Sequence, residues 1–218
     1  MTLSPKACFF DLDGTLLDSL ADIADATNAA LETHGYPTHS YDDYRLLVGY
    51  GAKALFTHVL PEGLTLERIE EIMPEMRKNY ANGWARKTKP YAGAQNMLDA
   101  LQKKGVILGI LSNKPHPLAV KTVKHFFPAT IFADVRGQMP NVPPKPDPSA
   151  ALNMAVSLNV RPEEAFFVGD TRTDMETGVN AGMTPVGVTW GFRDEKELRE
   201  YGAEILIHHP EEILGYFA

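Results

Sequence analysis

The feature that most constrains the fold is a series of short apolar runs that alternate with helical segments, above all from Pro90 onward. Each run is rich in β-branched and aromatic residues and lacks polar–apolar alternation, which is typical of strands buried on both faces of a parallel sheet. The predicted strands cover residues 7–10, 106–111, 131–135, 165–168, 185–188 and 203–207. The sequence therefore predicts an α/β fold with a doubly wound, Rossmann-like parallel sheet.

A helical block interrupts this pattern directly after the first strand. Apolar residues recur at helical spacing after Ser19, and Asp22 three residues later predicts a capping box with Ser19 at the helix N-terminus. Further helices are predicted as two short segments within residues 42–60 and a longer one at about 65–85. We therefore predict two domains. The catalytic core comprises residues 1–17 and 88–218, and the all-helical cap comprises residues 18–87.

The composition argues against several classes of function. The net charge of −7 argues against a general nucleic-acid-binding protein, which needs a basic face, but it is compatible with a small phosphorylated partner. No apolar run approaches the roughly 20 residues that span a membrane, and the first residues lack the long apolar stretch of a secretory signal. The single cysteine, Cys8, lies in the first predicted strand and has no partner for an internal disulfide. We expect a cytoplasmic protein, monomeric or homodimeric, that does not bind membranes.

Polar side chains follow several predicted strands at the points where those strands end. Because the carboxyl ends of parallel strands meet at one edge of the sheet, we expect these side chains to lie close together. They are Asp11 and Asp13 after the first strand, Ser112 after the second, Lys145 in a proline-rich loop, and Asp170 with Asp174 after the strand at 165–168. Asp11 and Asp13 already favour a functional site over an acidic turn, whereas Ser112 and Lys145 alone are more typical of an ordinary turn or loop. The combination strengthens the interpretation as a site.

The combination meets the requirements of phosphoryl transfer, namely a nucleophile, a proton donor and groups that hold phosphate oxygens. The Asp11 carboxylate is a nucleophile at neutral pH, and Asp13 is placed to protonate the departing oxygen. The Ser112 hydroxyl and the Lys145 ammonium are suited to bind phosphate oxygens.

The remaining carboxylates predict a metal site. Asp170 and Asp174 form an oxygen-rich cluster with Asp11, and Mg²⁺ is a hard cation that prefers such ligands. The sequence therefore predicts Mg²⁺ as the cofactor.

The chain resembles the haloacid dehalogenase-like (HAD) superfamily of hydrolases over essentially its whole length. Residues 11–15, Asp-Leu-Asp-Gly-Thr, resemble the first motif of that superfamily, Ser112 the second, Lys145 the third and residues 169–174 the fourth. The helical block is similar to the cap that members insert after the first motif.

The resemblance implies roles for individual residues. It implies an aspartyl-phosphate intermediate on Asp11 and acid/base catalysis by Asp13. It also implies that Mg²⁺ is bound by Asp11, the backbone carbonyl of Asp13 and Asp170, with Asp174 close by.

Within the superfamily the chain resembles the phosphoglycolate phosphatase branch in residues 47–53, 112–115 and 188–191. We expect the loop at Gly49 to close over the site, and Lys53 or Arg45 to meet a substrate carboxylate. A plain turn with solvated basic residues is the equal alternative. Thr15 and Asn113 are also assigned to substrate binding.

The resulting functional hypothesis is a Mg²⁺-dependent phosphatase that acts on a small phosphate monoester. The leading candidate for the substrate is 2-phosphoglycolate. The alternatives within the superfamily are a sugar-phosphate phosphatase, a pyrophosphatase and a phosphomutase. A receiver-like signalling module is a hypothesis of another class. It is disfavoured because such modules have no helical insertion and need no proton-donating second aspartate.

Overall fold

The computed structural model describes residues 5–128 and 130–217. The strands are β1 (Ala7–Phe10), β2 (Leu17–Asp18), β3 (Lys89–Pro90), β4 (Ile107–Pro115), β5 (Asp134–Gln138), β6 (Ala165–Gly169), β7 (Thr184–Val188) and β8 (Ile205–Ile207). The α-helices are α1 (Leu20–Thr33), α2 (Tyr41–Leu47), α3 (Ala52–Val59), α4 (Leu66–Gly83), α5 (Ala94–Lys103), α6 (His116–Phe126), α7 (Ser149–Ser157), α8 (Arg172–Ala181) and α9 (Glu195–Glu200).

Six strands form a parallel sheet in the order β5-β4-β1-β6-β7-β8. β1 lies at its centre, where Phe10 pairs with Ile110 of β4 and with Val168 of β6. Alternate residues of β1 pack into two separate apolar clusters, with Phe10 in one and Phe9 in the other. Both faces of the sheet are therefore covered, as the continuous apolar runs predict.

Two strand predictions need correction. The strand predicted at 131–135 lies instead at Asp134–Gln138, because the backbone still turns at Ile131, whose N–H donates to the Pro128 carbonyl at 3.1 Å. Ile131 and Phe132 pack against the core before the strand begins. The strand predicted at 106–111 continues to Pro115 through a register shift after Leu111.

Helices α1 to α4 enclose an apolar cluster of their own, to which Phe192 is the main contribution from outside the helical block. The chain enters and leaves this block through the short antiparallel pair of β2 and β3, in which Leu17 pairs with Pro90. This arrangement supports the division into a core and a cap, which stays a prediction. No helix in the described part of the chain is long and apolar enough to cross a membrane.

The predicted capping box at α1 is wrong. Ser19 makes no capping hydrogen bond, and its hydroxyl donates instead to Asp13 at 2.6 Å. The Asp22 carboxylate accepts from the backbone N–H of Lys87 and from the N–H and hydroxyl of Thr88, at 2.7–3.0 Å. Ser19 and Asp22 therefore bond residues outside α1 instead of its first turn. The hydrogen bonds of Asp22 connect the start of the helical block to its end.

We expect Asp22→Ala to lower the free energy of unfolding by about 3 kcal/mol, because two backbone N–H groups and a hydroxyl lose a charged acceptor. Urea unfolding measures the loss. Asp25→Ala is the matched control, since Asp25 lies on the same helix and makes a largely exposed ion pair with Lys87. The control should lose less than about 1 kcal/mol. Equal losses would contradict the role given to Asp22.

Candidate active site

The carboxyl ends of three adjacent strands bring the predicted site residues together. Asp11 and Asp13 follow β1, Ser112 lies in the second half of β4, and Asp170 follows β6. Asp174 joins them from the first turn of α8. All five side chains are buried. The central position of β1 puts its two aspartates between groups from both neighbouring strands.

Three of these carboxylates form a tight acidic cluster. One oxygen from each of Asp11, Asp170 and Asp174 lies within 4.8 Å of the others. Burial raises the pKa of the Asp11 carboxyl to about 6, against the lowering effect of the Lys145 ammonium. Burial and the neighbouring carboxylates of Asp174 and Asp11 raise the pKa of Asp170 well above its ordinary value. A bound cation would relieve this repulsion.

The donor set fits a hard divalent cation. Four buried carboxylates (Asp11, Asp13, Asp170 and Asp174) face two buried ammonium groups (Lys114 and Lys145). Four negative and two positive charges leave an excess of two negative charges when all are ionised. Within the described residues Asp11 Oδ1 accepts no hydrogen bond, although Lys145 Nζ lies 3.0 Å from it. Oxygen ligands of this kind suit Mg²⁺.

Hydrogen bonds fix the orientation of two of the carboxylates. Asp170 Oδ1 accepts from the Thr15 hydroxyl at 2.7 Å, and its Oδ2 accepts from the Phe192 N–H at 2.9 Å. Asp174 Oδ2 accepts from the Thr171 N–H at 3.0 Å and from its hydroxyl at 2.6 Å. Thr15, predicted to bind substrate, therefore positions Asp170 in this structure.

Gly14 allows the first motif to approach the fourth. Its φ of +90° is a conformation that other residues rarely adopt, and a Cβ there would overlap the Asp170 carboxylate. Only glycine fits this position.

Lys145 lies between two members of the acidic cluster. Its ammonium donates to Asp174 Oδ1 at 2.6 Å and lies 3.0 Å from Asp11 Oδ1. Burial alone would lower the pKa of Lys145, but the carboxylates of Asp11 and Asp174 raise it overall, so the side chain stays positively charged. The Asn113 amide holds the Lys145 backbone, accepting from its N–H at 2.9 Å and donating to its carbonyl at 3.1 Å. Asn113, predicted to bind substrate, thus positions Lys145.

Asp13 faces away from the acidic cluster, toward the helical block. Both of its oxygens accept from Lys114 Nζ at 2.8 Å, and Oδ1 also accepts from the Ser19 hydroxyl. The same ammonium donates to the hydroxyl of Tyr80 on α4 at 2.7 Å.

Sequence reasoning missed Lys114 and Tyr80 as site residues. Lys114 carries a usable signal, because it lies two positions after Ser112 in β4, and its N–H donates to the Ser112 hydroxyl at 3.3 Å. Tyr80 carries none, since it is one aromatic residue among the apolar positions of a long helix.

The loop between α2 and α3 lies against the site. The Gly49 carbonyl accepts from the Asn113 amide at 2.9 Å, and a Cβ on Gly49 would lie 3.0 Å from Thr171 Cγ2. The loop predicted to close over the site is therefore in contact with two of the strand ends that build it.

The structure does not bring the two predicted carboxylate-binding cations into the buried site. Lys53 is exposed and pairs with Glu70 at 3.3 Å. Arg45 donates to the Gly191 carbonyl at 3.2 Å. Both side chains lie on the exposed surface of the helical block, and their contact with a substrate stays a prediction.

The segment 190–193 joins the core to the helical block. Arg193 is buried and donates to the carbonyls of Leu46 at 2.7 Å and Val48 at 3.0 Å, at the C-terminal end of α2. The preceding residue, Phe192, packs into the apolar cluster of the helical block. The Phe192 N–H also donates a hydrogen bond to Asp170, so this short segment contacts both the core and the helical block.

Comparison with known proteins identifies this arrangement. The family model described as haloacid dehalogenase-like hydrolase matches residues 8–188, which includes all four motifs. The chain belongs to this family.

Named relatives of this HAD-like hydrolase are phosphatases. N-acetylmuramic acid 6-phosphate phosphatase of Pseudomonas aeruginosa is 30% identical over 215 residues, covering 96% of this chain and 93% of the relative. Phosphoglycolate phosphatase of Psychrobacter arcticus is 33% identical over 205 residues, covering 91% and 89%. The crystal structure of a Lactobacillus delbrueckii subsp. bulgaricus protein, a phosphoglycolate phosphatase by prediction, superimposes with a TM-score of 0.93 at 26% identity and full coverage of both chains.

These matches confirm three of the predictions: the HAD-like family, the α/β Rossmann-like fold, and a phosphatase. They leave the substrate, the metal and the roles of individual residues as proposals.

Proposed function

We propose that this HAD-like hydrolase is a Mg²⁺-dependent phosphatase that hydrolyses 2-phosphoglycolate through a phosphoryl group on Asp11. The observation that carries the proposal is the opposite orientation of two neighbouring carboxylates. Asp11 faces the acidic cluster and Lys145, whereas Asp13 faces Lys114 and the helical block. Two carboxylates with such different surroundings are suited to different chemical roles.

In the first half of the reaction Asp11 attacks phosphorus, and the bond from phosphorus to the ester oxygen breaks. Asp13 gives its proton to that oxygen, so the alcohol leaves in neutral form. The Lys145 ammonium and the Ser112 hydroxyl hold the phosphoryl oxygens, and both are buried beside Asp11 at the same sheet edge.

In the second half Asp13 is a base. It takes a proton from the water that attacks phosphorus, the Asp11–phosphorus bond breaks, and inorganic phosphate leaves with Asp11 restored. No further nucleophile is needed.

The residues that would hold Mg²⁺ are Asp11, Asp170 and Asp174, together with the backbone carbonyl of Asp13. When bound, Mg²⁺ supplies positive charge that offsets the repulsion between the acidic cluster and the phosphoryl oxygens.

The choice of substrate rests on the relatives. Those named phosphoglycolate phosphatase reach 33% identity, but a relative named N-acetylmuramic acid 6-phosphate phosphatase reaches 30% over more of the chain. We therefore propose 2-phosphoglycolate first and sugar phosphates second. A panel of 2-phosphoglycolate, sugar phosphates and pyrophosphate, assayed for phosphate release with Mg²⁺ and with EDTA, tests the proposal. Isomerisation of a sugar phosphate without phosphate release would indicate a phosphomutase, and equal rates in EDTA would overturn the metal requirement.

Metal binding also has an effect on stability that does not depend on activity. The pKa of Asp11 rises to about 6 on folding without metal, so the folded chain binds more protons than the unfolded chain near pH 5. The contribution of Asp11 to the stability of the metal-free protein is therefore fully present below its ordinary pKa of 3.8 and is lost as the pH rises through about 6. Mg²⁺ binds the ionised cluster, so its stabilising effect grows over the same range.

We expect Mg²⁺ at about 100 times its Kd to raise Tm by about 5–10 °C at pH 7.5 and by clearly less at pH 5. Thermal unfolding followed by circular dichroism measures both values. Asp170→Asn should lose the Mg²⁺ effect, whereas Asp42→Asn, on the exposed surface of α2, should retain it. A Mg²⁺ effect of equal size at the two pH values would contradict binding at this cluster.

The cytoplasmic location and the monomeric or homodimeric state stay proposals. The buried free thiol of Cys8 is consistent with a reducing compartment. Sedimentation equilibrium measures the oligomeric state.

A further inference from the structure

Lys114 is a buried cation at the boundary between the sheet edge and the helical block. Its side chain is 4% exposed, and its three N–H groups reach three acceptors, Asp13 Oδ1, Asp13 Oδ2 and the Tyr80 hydroxyl, at 2.7–2.8 Å. Tyr80 comes from α4, so its hydrogen bond with Lys114 joins the helical block to the sheet edge. Charge and hydrogen-bonding capacity are thus concentrated beside Asp13.

The Tyr80 hydroxyl has hydrogen-bonding capacity to spare. It accepts from Lys114, but within residues 5–128 and 130–217 no acceptor for its own proton is found. The ring is buried, and burial raises the pKa of Tyr80 to about 12, so the hydroxyl keeps that proton at neutral pH. Buried hydroxyl groups usually have an acceptor.

The proposed function, on which this inference rests, places the leaving alcohol on the same side of phosphorus as Lys114 and Tyr80. Asp13 must lie within hydrogen-bonding distance of the ester oxygen to protonate it. The carbon group bonded to that oxygen then lies on the Asp13 side of phosphorus, away from Asp11 and Lys145. On the side of the helical block, Asp13 accepts from Lys114 and from the Ser19 hydroxyl. Tyr80 reaches this position through its hydrogen bond with Lys114.

Four other basic side chains in and around the site have partners elsewhere. Lys145 pairs with Asp174 and Asp11 on the nucleophile side. Arg45 and Lys53 are held by a carbonyl and by Glu70, as described above. Arg193 donates to carbonyls at the C-terminal end of α2 and pairs with Glu197 at 3.2 Å.

We propose that Lys114 and Tyr80 bind an acidic group on the leaving alcohol, so that the site selects phosphate esters with a carboxylate close to the ester oxygen. The carboxylate would replace an Asp13 oxygen as an acceptor for the Lys114 ammonium and would accept the free Tyr80 proton. A carboxylate held by an ammonium and a hydroxyl in a buried site gains charge-assisted hydrogen bonds that a neutral alcohol does not make.

The test compares two substrates of equal chain length, 2-phosphoglycolate and 2-hydroxyethyl phosphate. Both have alkyl leaving groups that need a proton from Asp13, but only the first carries a carboxylate. The measured quantity is the ratio of their kcat/KM values. For Lys114→Met we expect the ratio to fall by about 100-fold, mainly through KM for 2-phosphoglycolate, since a charged hydrogen bond is lost. For Tyr80→Phe we expect a fall of about 10-fold.

Two further variants make the comparison sharper. Lys114→Arg keeps the charge and should keep part of the preference. Lys78→Met removes a lysine from the exposed face of α4 and should leave the ratio unchanged, which controls for the loss of one positive charge. If Lys114→Met fails to fold, Tyr80→Phe and Lys114→Arg carry the test.

The outcomes separate this inference from the proposed function. If the wild-type protein hydrolyses neither ester, the proposed function fails and the inference fails with it. If it hydrolyses both esters and the Lys114 and Tyr80 variants slow both equally, the phosphatase proposal stands. In that case the pair only orients Asp13, and the inference is overturned. A wild-type enzyme without preference between the two esters also overturns it.

Discussion

Asp11→Asn is expected to abolish phosphate release while the protein remains folded. An amide is too weak a nucleophile to attack phosphorus, so the phosphoryl intermediate cannot form. We expect kcat to fall by at least 10²-fold, which corresponds to about 2.7 kcal/mol of activation free energy. Steady-state phosphate release from 2-phosphoglycolate measures the loss.

The structure also predicts the effect of this substitution on stability. Burial raises the pKa of Asp11 because the charged form is unfavourable at this position. Removing that charge should therefore leave Tm of the metal-free protein unchanged or raise it at pH 7.5. Asp42→Asn, an equally conservative change on the exposed surface of α2, is the control for both measurements. A folded Asp11→Asn protein that keeps more than a few per cent of wild-type activity would exclude Asp11 as the nucleophile.

Asp13→Asn is expected to affect two substrates differently. With 2-phosphoglycolate the leaving alkoxide is strongly basic and needs a proton as the bond breaks. General acid catalysis contributes about 10²–10⁴-fold, so turnover of this substrate should fall by a factor in that range. With p-nitrophenyl phosphate the leaving nitrophenolate is stable without protonation, so formation of phosphoryl-Asp11 should be much less impaired.

Hydrolysis of the intermediate still needs a base, and the variant lacks it. Rapid mixing with p-nitrophenyl phosphate should therefore give a burst of nitrophenolate of about one equivalent per active site, followed by a slow phase. Acid quench and detection of protein-bound phosphate identify the stalled intermediate. If both substrates slow equally and no burst occurs, Asp13 is not the acid and base, and the roles of the two aspartates must be reassigned.

Local pattern was sufficient to predict a parallel sheet and most of its strands, together with the candidate site residues that follow them. β1 and β6 are continuous apolar runs that end directly at Asp11 and Asp170, so both the strand and the position of its carboxylate can be read from a few residues. Lys145 could also be located from the sequence, because the prolines around it indicate a loop. Parallel pairing then brings such loops to one edge whatever the details of the helices.

Contacts between the helical block and the core could not be predicted in this way. Ser19 and Asp22 have the spacing of a capping box, but their partners are Asp13 and the distant backbone of 87–88. The bond from Lys114 to Tyr80 joins a strand to a helix 34 residues earlier. Such pairs depend on how helices pack, and the periodicity of a single sequence fixes only which helix face is buried.

The pairing of β2 with β3 makes the helical block a modular insertion. Leu17 lies opposite Pro90, and the Tyr91 N–H donates to the Leu16 carbonyl at 3.1 Å, so the chain leaves the core and returns to it at nearly the same point. The entropic cost of closing a loop rises only slowly with loop length. The stability of the sheet therefore depends little on how many residues lie between these two positions. A core of this design can therefore carry a large helical insertion or a short turn between the same two strands. Asp11 and the rest of the acidic cluster would be built in either case, whereas the surroundings of Asp13 would change.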